Sequence, residues 1–203
     1  MRSLQAFATF CILATCVTWG QQRPAGGPKK PAGSSCGLVY GEDHVVLVCA
    51  PDGWVLDNNI LADQKIYATF YRKGVTYPEA EKRGTLMYVN VQRKGAGRET
   101  AVEMMKLDAE KTKHESPKLV VQRGAPIVIA GGEKQKTRQV PVQTFLNAFG
   151  GGYESIAYVE DENTISLVVI SSASEQLMRR DYPAFVKLVK SYSFVAPGGQ
   201  AAR

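Results

Sequence analysis

The chain has 203 residues, 44% of them hydrophobic, so it is long enough to bury the core of one globular domain. Its 25 Lys and Arg against 19 Asp and Glu give a formal net charge of +6. The basic residues at 106–118 and 134–138 lie mostly among carboxylates, a pattern that is typical of solvated faces and argues against a nucleic-acid-binding surface.

The first 20 residues have the pattern of a cleavable secretory signal peptide. Arg2 is followed by an uncharged run over 4–17 and then by small and polar residues. This run is shorter than the ~20 apolar residues that a membrane span needs. We therefore predict a periplasmic or extracellular protein whose mature chain begins near Gln21 and has no transmembrane segment.

An alternative for the N-terminus is a lipoprotein anchor. The residues LATC at 13–16 resemble a bacterial lipobox, in which Cys16 would be lipidated and become the mature N-terminus. Thr15 departs from the small residue that usually precedes this cysteine. Lipidation is the less favoured interpretation for that reason.

Two cysteines, Cys36 and Cys49, remain in the mature chain and predict a disulfide, because an even pair in an exported protein is normally oxidised. Residues 38–40 and 45–48 resemble strands joined by a four-residue turn, and pairing Tyr40 with Val45 places the two cysteines opposite each other. A metal site would need more ligands than the nearby His44. We expect neither a metal nor a cofactor.

The chain divides into four segments. Residues 1–20 are the signal peptide, 21–35 (QQRPAGGPKKPAGSS) a flexible linker without large apolar residues, 36–195 a single domain, and 196–203 a disordered tail.

Within the domain, short strands alternate with two helices. Strands are predicted at 65–71, 86–92, 118–122, 126–130, 138–145, 153–159 and 164–171. In the second of these, Met87, Val89 and Val91 share one face, and polar residues occupy the other. The apolar run 165–170 is typical of a central strand covered on both faces, joined by a hairpin turn at 160–163 to the strand before it.

The two helices begin at recognisable caps. Thr100 and Glu103 form a capping box before a helix over 101–114. A second helix over 181–192 is predicted with Asp181 as its cap, Pro183 in its first turn, and an apolar face that includes Phe185. This order of elements predicts an α+β fold with a mainly antiparallel sheet sandwiched by helices, preceded by the disulfide-linked hairpin.

No residue set has the types and spacing of a catalytic site. His44 and His114 lie far apart in sequence, and neither belongs to a known nucleophile or metal-protease motif. We assign no catalytic residue. An acidic run at 160–162 is interpreted as a solvated turn and not as a calcium site.

Two weaker patterns give candidate binding residues. Gly95, Gly97 and Arg98 precede a helix and could receive an anion, although a flexible connection is the favoured interpretation. The glycine run 150–152 lies beside Phe145, Phe149 and Tyr153, which could rim an apolar pocket.

Two further motifs carry a family resemblance. The residues APDGW at 50–54, with the hairpin from 153 and the closing PAFVKLVKSY at 183–192, resemble the PsbP/Mog-like α-β-α sandwich over roughly 50–195. The resemblance implies an antiparallel sheet between helices. Its motifs are packing signatures, and the family ranges from a photosystem II extrinsic subunit to bacterial exported proteins of unknown role, so no binding residue is implied.

The leading hypothesis is therefore an exported, non-catalytic binding or accessory module. Its partner would be an unidentified protein or small molecule in the cell envelope. A small exported hydrolase with an unrecognised site and a basic nucleic-acid-binding protein are the alternatives.

Overall fold

The computed structural model describes residues 36–40, 44–131, 137–148 and 151–195. The predicted signal peptide, linker and tail lie outside these residues, as does Cys16, so those predictions stay as they are.

The described part of the chain contains ten strands, three α-helices and a short 3-10 helix, Ala62–Gln64. The strands are β1 (Cys36–Tyr40), β2 (Val45–Cys49), β3 (Trp54–Asp57), β4 (Ala68–Arg72), β5 (Thr85–Arg93), β6 (Val120–Ala130), β7 (Thr137–Ala148), β8 (Gly152–Glu160), β9 (Thr164–Ser172) and β10 (Ser193–Val195). The helices are α1 (Tyr77–Arg83), α2 (Ala101–Glu115) and α3 (Glu175–Lys190). The strands form a sheet of order β1-β2-β10 and a seven-stranded sheet of order β3-β4-β5-β9-β8-β7-β6. All the recorded pairings are antiparallel.

The N-terminal hairpin has the predicted register. Tyr40 pairs with Val45, and Cys36 pairs with Cys49. A disulfide joins these two cysteines. The second strand of the hairpin also pairs with β10, which closes a small sheet between the two ends of the described domain.

Strand β9 lies at the centre of the large sheet and is covered on both faces. Val168 and Ile170 belong to a buried cluster that includes Phe185 of α3. Leu167 and Val169 face the other way, into a cluster with the methionines of α2. Because successive strand residues point to opposite faces, nearly every residue of β9 is buried. The fold is therefore α+β, with an antiparallel sheet between helices, as predicted.

The capping boxes explain where two helices begin. The Glu103 amide donates to Thr100 Oγ1 at 3.2 Å, and the Thr100 amide donates to Glu103 Oε2 at 3.0 Å, which starts α2 as predicted. The same box, with Thr76 and Glu79, starts the short helix α1. This helix was not predicted, although the Thr76-x-x-Glu79 spacing and Pro78 in its first turn are a usable signal.

Helix α3 begins earlier than predicted. Its cap is Ser174, whose Oγ accepts a hydrogen bond from the Leu177 amide at 3.3 Å, so the predicted cap Asp181 and first-turn Pro183 lie inside the helix. A proline there removes one helical hydrogen bond. The helix continues because its apolar face is buried against the sheet and Asp181 has partners outside the helix.

The two strands predicted at 118–122 and 126–130 are one strand, β6, with a register shift between Gly124 and Ile127. Pro126 lies within that irregular stretch. Proline is tolerated there because β6 is the edge strand of the large sheet, so a missing amide does not break an inner ladder.

Asp181 is the buried centre of an ion-pair network. Its carboxylate accepts hydrogen bonds from the Arg72 guanidinium and from both Nε and Nη2 of Arg180, the last two at 2.9 Å. Its side chain is 0% exposed. Burial alone would raise the pKa of Asp181, but the hydrogen bonds from Arg180 and Arg72 lower it to about 2.

Asp181→Asn should lower the free energy of unfolding at pH 7 by about 2 kcal/mol, because the folded pKa lies below the ordinary Asp value. A depressed pKa stabilises the fold above about pH 4, and this contribution is lost as pH falls toward 2. Urea unfolding at pH 7 and pH 3 measures the free energy of unfolding of both proteins. The difference between variant and wild type should be smaller at pH 3 than at pH 7. Asp52→Asn is the control, because Asp52 is 97% exposed in its pair with Lys187. Equal losses in both variants would contradict the prediction.

Candidate functional site

The predicted anion-binding residues occupy the turn before α2. Gly95 and Gly97 adopt φ of 123° and 83°, which a residue with a Cβ rarely does. The Arg98 guanidinium is bonded within the chain: Nη1 donates to Gln92 Oε1 at 2.9 Å, and Nε donates to the Gly95 carbonyl at 3.4 Å.

The helix amides beside this turn already have carboxylate partners. The Ala101 amide donates to Glu160 Oε2 at 2.7 Å, and Glu103 accepts from the amides of Glu99 and Thr100. Burial tends to raise the pKa of Glu160, but hydrogen bonds from Lys94 and the Ala101 amide lower it overall. The anion at this helix N-terminus is therefore the chain's own Glu160, which leaves little for an external anion.

The acidic run at 160–162 is only partly solvated. The Asp161 side chain is 7% exposed and accepts hydrogen bonds from Arg138 Nη1 at 2.8 Å and from the Tyr192 hydroxyl. The interpretation of this run as a solvated turn is therefore wrong for Asp161, which ties the hairpin to Tyr192, two residues after the end of α3. Within the described ranges, no group of three or more His, Cys, Asp and Glu side chains could hold a metal ion.

The predicted rim residues are not brought together. Phe145 is buried in the cluster beneath α2, whereas Tyr153 packs against the cluster on the α3 side of the sheet. These two side chains are separated by the sheet itself, since Leu146 and not Phe145 pairs with Tyr153. Phe149 lies outside the described residues.

The histidines are also apart. His44 is buried beside the small sheet, and His114 is exposed in the last turn of α2.

A group of carboxyl and phenol side chains lies where the sheet meets α2. Tyr88 of β5 and Glu154 of β8 share the sheet face that carries Leu167 and Val169, and Asp108 reaches it from the helix. The register makes them neighbours: Tyr88 pairs with Val169, and Glu154 pairs with Ser171 two positions along β9.

Two cavities meet at this group. One, of about 190 Å³, is lined by Tyr88, Asp108, Lys111, Glu154 and the adjacent face of β9. The other, of about 400 Å³, extends toward α1 and shares Tyr88 and Glu154 with the first. We call the two cavities together the acid trough.

Burial perturbs the acids of the trough. Burial, followed by the nearby Asp108 charge, raises the pKa of Glu154 to about 7. Burial likewise raises the pKa of Asp108, against the lowering effect of Tyr158, Lys111 and Arg98. Among the residues that the structure describes, none donates a hydrogen bond to the Glu154 carboxylate. Ionised Glu154 is thus a buried charge without a matched partner.

A buried phenol adds to this group. The Tyr158 side chain is 0% exposed, and its hydroxyl finds no hydrogen-bond partner within ordinary range among the described residues. The negative charge of Asp108 still affects this phenol. Burial, followed by that charge, raises the pKa of Tyr158 far above its usual value. A buried hydroxyl without a partner costs free energy, but Tyr158 lines neither cavity, so it acts on the trough only through Asp108.

Part of this site could be recognised from the sequence. The alternation along β5 places Tyr88, Asn90 and Gln92 on its polar face, as expected. Glu154 is not singled out by the sequence, although a carboxylate directly before five buried strand residues is the kind of exception that marks a site. Its meeting with Asp108 follows from strand order and helix placement, which no local pattern encodes.

Comparison with known proteins gives little beyond this geometry. No family model matches the sequence, and no curated protein matches it. Among solved structures the chain is similar to the solution structure of cyanobacterial PsbP (CyanoP) from Synechocystis, with a TM-score of 0.47 and 10% sequence identity. The alignment covers 85% of this chain and 100% of that one. So loose a likeness carries no conclusion about ligand or activity, and the Mog-like part of the resemblance stays a prediction.

None of the helices in the described part of the chain combines the length and the apolar composition needed to cross a membrane.

Proposed function

We propose that this chain is an exported, non-catalytic binding module that takes a small organic cation in the acid trough. One observation carries the proposal: the mostly buried Glu154 carboxyl lines both cavities of the trough, and no described residue donates a hydrogen bond to it.

The charges of the trough favour a cation. An ionised carboxylate out of water is costly unless it is paired, and the Asp108 carboxyl adds a second negative charge beside it. Lys111 lines the smaller cavity, and Lys82 lines the larger one next to Glu81; both lysines are exposed to solvent. An ammonium or guanidinium group on a ligand would supply the missing partner, and the Tyr88 ring could add a cation–π contact.

Export is supported by two independent features. The N-terminal pattern is that of a secretory signal peptide. The Cys36–Cys49 disulfide is consistent with an extracytoplasmic location, because oxidising compartments preserve such bonds.

The alternative of a hydrolase has one observation in its favour, since a carboxyl with a pKa of about 7 beside a second carboxyl is suited to proton transfer. In acid–base pairs, however, the environment drives the two pKa values apart. Here burial raises the pKa of both Glu154 and Asp108. Binding is therefore the better supported function.

The test is isothermal titration calorimetry with agmatine and choline as cationic probes and glycerol as a neutral one. At least one cation should bind, and Glu154→Gln should weaken it by about tenfold or more, since a charge-assisted contact is lost. Glu162→Gln is the matched control, because Glu162 is exposed in the turn between β8 and β9.

Proton linkage gives a second readout. A bound cation favours ionised Glu154, so the affinity should fall as pH drops below 7, and binding at pH 6 should release a proton to the buffer. The proposal fails if neither cation binds up to about 10 mM, or if Glu154→Gln binds as wild type does.

A further inference from the structure

A third cavity, of about 510 Å³, lies at the edge of β5 that β4 leaves unpaired, between the small sheet and the 3-10 helix. Its lining includes two tyrosines and three side-chain amides, and we call it the tyrosine cavity. The residues in question are Tyr40, Gln64, Tyr67, Asn90 and Gln92.

The cavity exists because β4 is shorter than its neighbour. The first residue of β4, Ala68, pairs with Val89, whereas β5 continues to Arg93. Beyond Val89, β5 therefore pairs with β9 alone, and its amide side chains Asn90 and Gln92 border an open space.

The two tyrosines are exposed and carried by anchored backbone. Tyr40 is 62% exposed and Tyr67 is 40% exposed. Tyr40 ends the strand that the disulfide ties to β2, and the Tyr67 carbonyl accepts a hydrogen bond from Asn58 Nδ2 at 2.6 Å. Aromatic rings on an anchored backbone offer contact area at a small cost in conformational entropy, because the backbone is already ordered.

We infer that the tyrosine cavity binds a neutral polyhydroxyl ligand, namely an oligosaccharide. The Gln64 and Asn90 side-chain amides carry both donors and an acceptor, and the Gln92 amide keeps its NH₂ donors because Arg98 occupies its oxygen. These groups match sugar hydroxyls, and the tyrosine rings can cover the apolar face of a sugar ring. Among the described lining residues, Lys65 is the only lysine, arginine or carboxylate, so an ionic ligand has little to pair with.

The same inventory disfavours two other ligands. An apolar molecule would cover the side-chain amides of Gln64 and Asn90 without offering them hydrogen bonds, which costs affinity. Single-stranded nucleic acid can stack on tyrosine, but it also needs a row of cations along its phosphates, and Lys65 alone does not provide one.

Sugar binding at the tyrosine cavity does not depend on the cation site. Asn90 and Gln92 border both the tyrosine cavity and the acid trough, but Tyr40 and Tyr67 line only the former of the cavities described here. The test therefore uses the tyrosines.

The experiment is a titration of ¹⁵N-labelled protein with chitotetraose and cellotetraose, followed by amide chemical shifts. At least one sugar should shift the signals of residues around the cavity. Tyr40→Ala and Tyr67→Ala should each weaken that binding by about fivefold or more, as truncation of a central interface tyrosine does. Both variants should keep the wild-type melting temperature, because both rings are exposed.

Tyr77→Ala is the matched control, since Tyr77 lies on α1 outside the cavity, and it should bind sugar as wild type does. Glu154→Gln should also bind sugar normally, which separates this result from failure of the cation site. The inference is overturned if neither sugar shifts the cavity signals, if the tyrosine variants bind as tightly as wild type, or if only a thymidine oligonucleotide binds.

Discussion

Phe185→Asp is expected to unfold most of the domain at room temperature. The Phe185 ring is 0% exposed in α3, within the cluster that joins this helix to the sheet, and it contacts the Tyr182 ring at a centroid distance of 5.4 Å. The substitution removes a large apolar side chain and buries an unpaired charge, each of which costs several kcal/mol. A domain with about 5–15 kcal/mol of stability cannot absorb both easily. Circular dichroism during a thermal melt measures the loss.

Two further variants make that result specific. Lys187→Asp places the same charge on the same helix at a side chain that is 64% exposed, and it should cost less than about 1.5 kcal/mol. Phe185→Leu keeps an apolar side chain and should fold with a lowered melting temperature. An unchanged melt for Phe185→Asp would show that α3 does not belong to the core.

Glu154→Gln is expected to flatten the dependence of stability on pH. In the wild type the folded pKa of about 7 exceeds the ordinary Glu value, so the folded state holds a proton that the unfolded state has released. The free energy of unfolding should therefore fall by about 3 kcal/mol as pH rises from 4 to 8. Glutamine cannot ionise, so the variant should lose most of this decline and be more stable than wild type at pH 8.

Urea unfolding at half-unit pH steps measures this slope. Glu162→Gln should keep the wild-type slope, since its carboxylate is exposed. Asp181 does not interfere, because its lowered pKa acts below pH 4. If the free energy of unfolding of Glu154→Gln falls as steeply as that of wild type between pH 4 and pH 8, another group is responsible. Glu154 is then not the carboxyl whose pKa is raised by burial.

Elements whose signals are local could be predicted from the sequence. The disulfide hairpin follows from two cysteines at equal distance from a turn, and α2 follows from a capping box that spans four residues. The central strand was recognised because it is covered on both faces and needs no polar alternation. Such signals lie within a few residues of the structure that they specify.

Elements that depend on distant residues could not be predicted. Asp181 and Pro183 together form a strong local signal for a helix start, but Arg72, 109 positions away, holds Asp181 as a buried ion-pair partner instead. The real cap, Ser174, is the weaker local signal. The acid trough was missed for the same reason, since Glu154, Asp108 and Tyr88 come from three separate elements and meet only after the sheet has formed.

The small sheet has a consequence for the order of folding. Its third strand, β10, pairs Ser193 with Leu47, so closing it joins segments about 150 residues apart. Closing a loop of that length in a disordered chain is slow, because the entropy of the intervening residues is lost before any contact compensates for it. The large sheet removes this cost by bringing the ends together first. The β2–β10 pairing is therefore a late step of folding, and amides of β10 should be among the first to exchange with solvent deuterium.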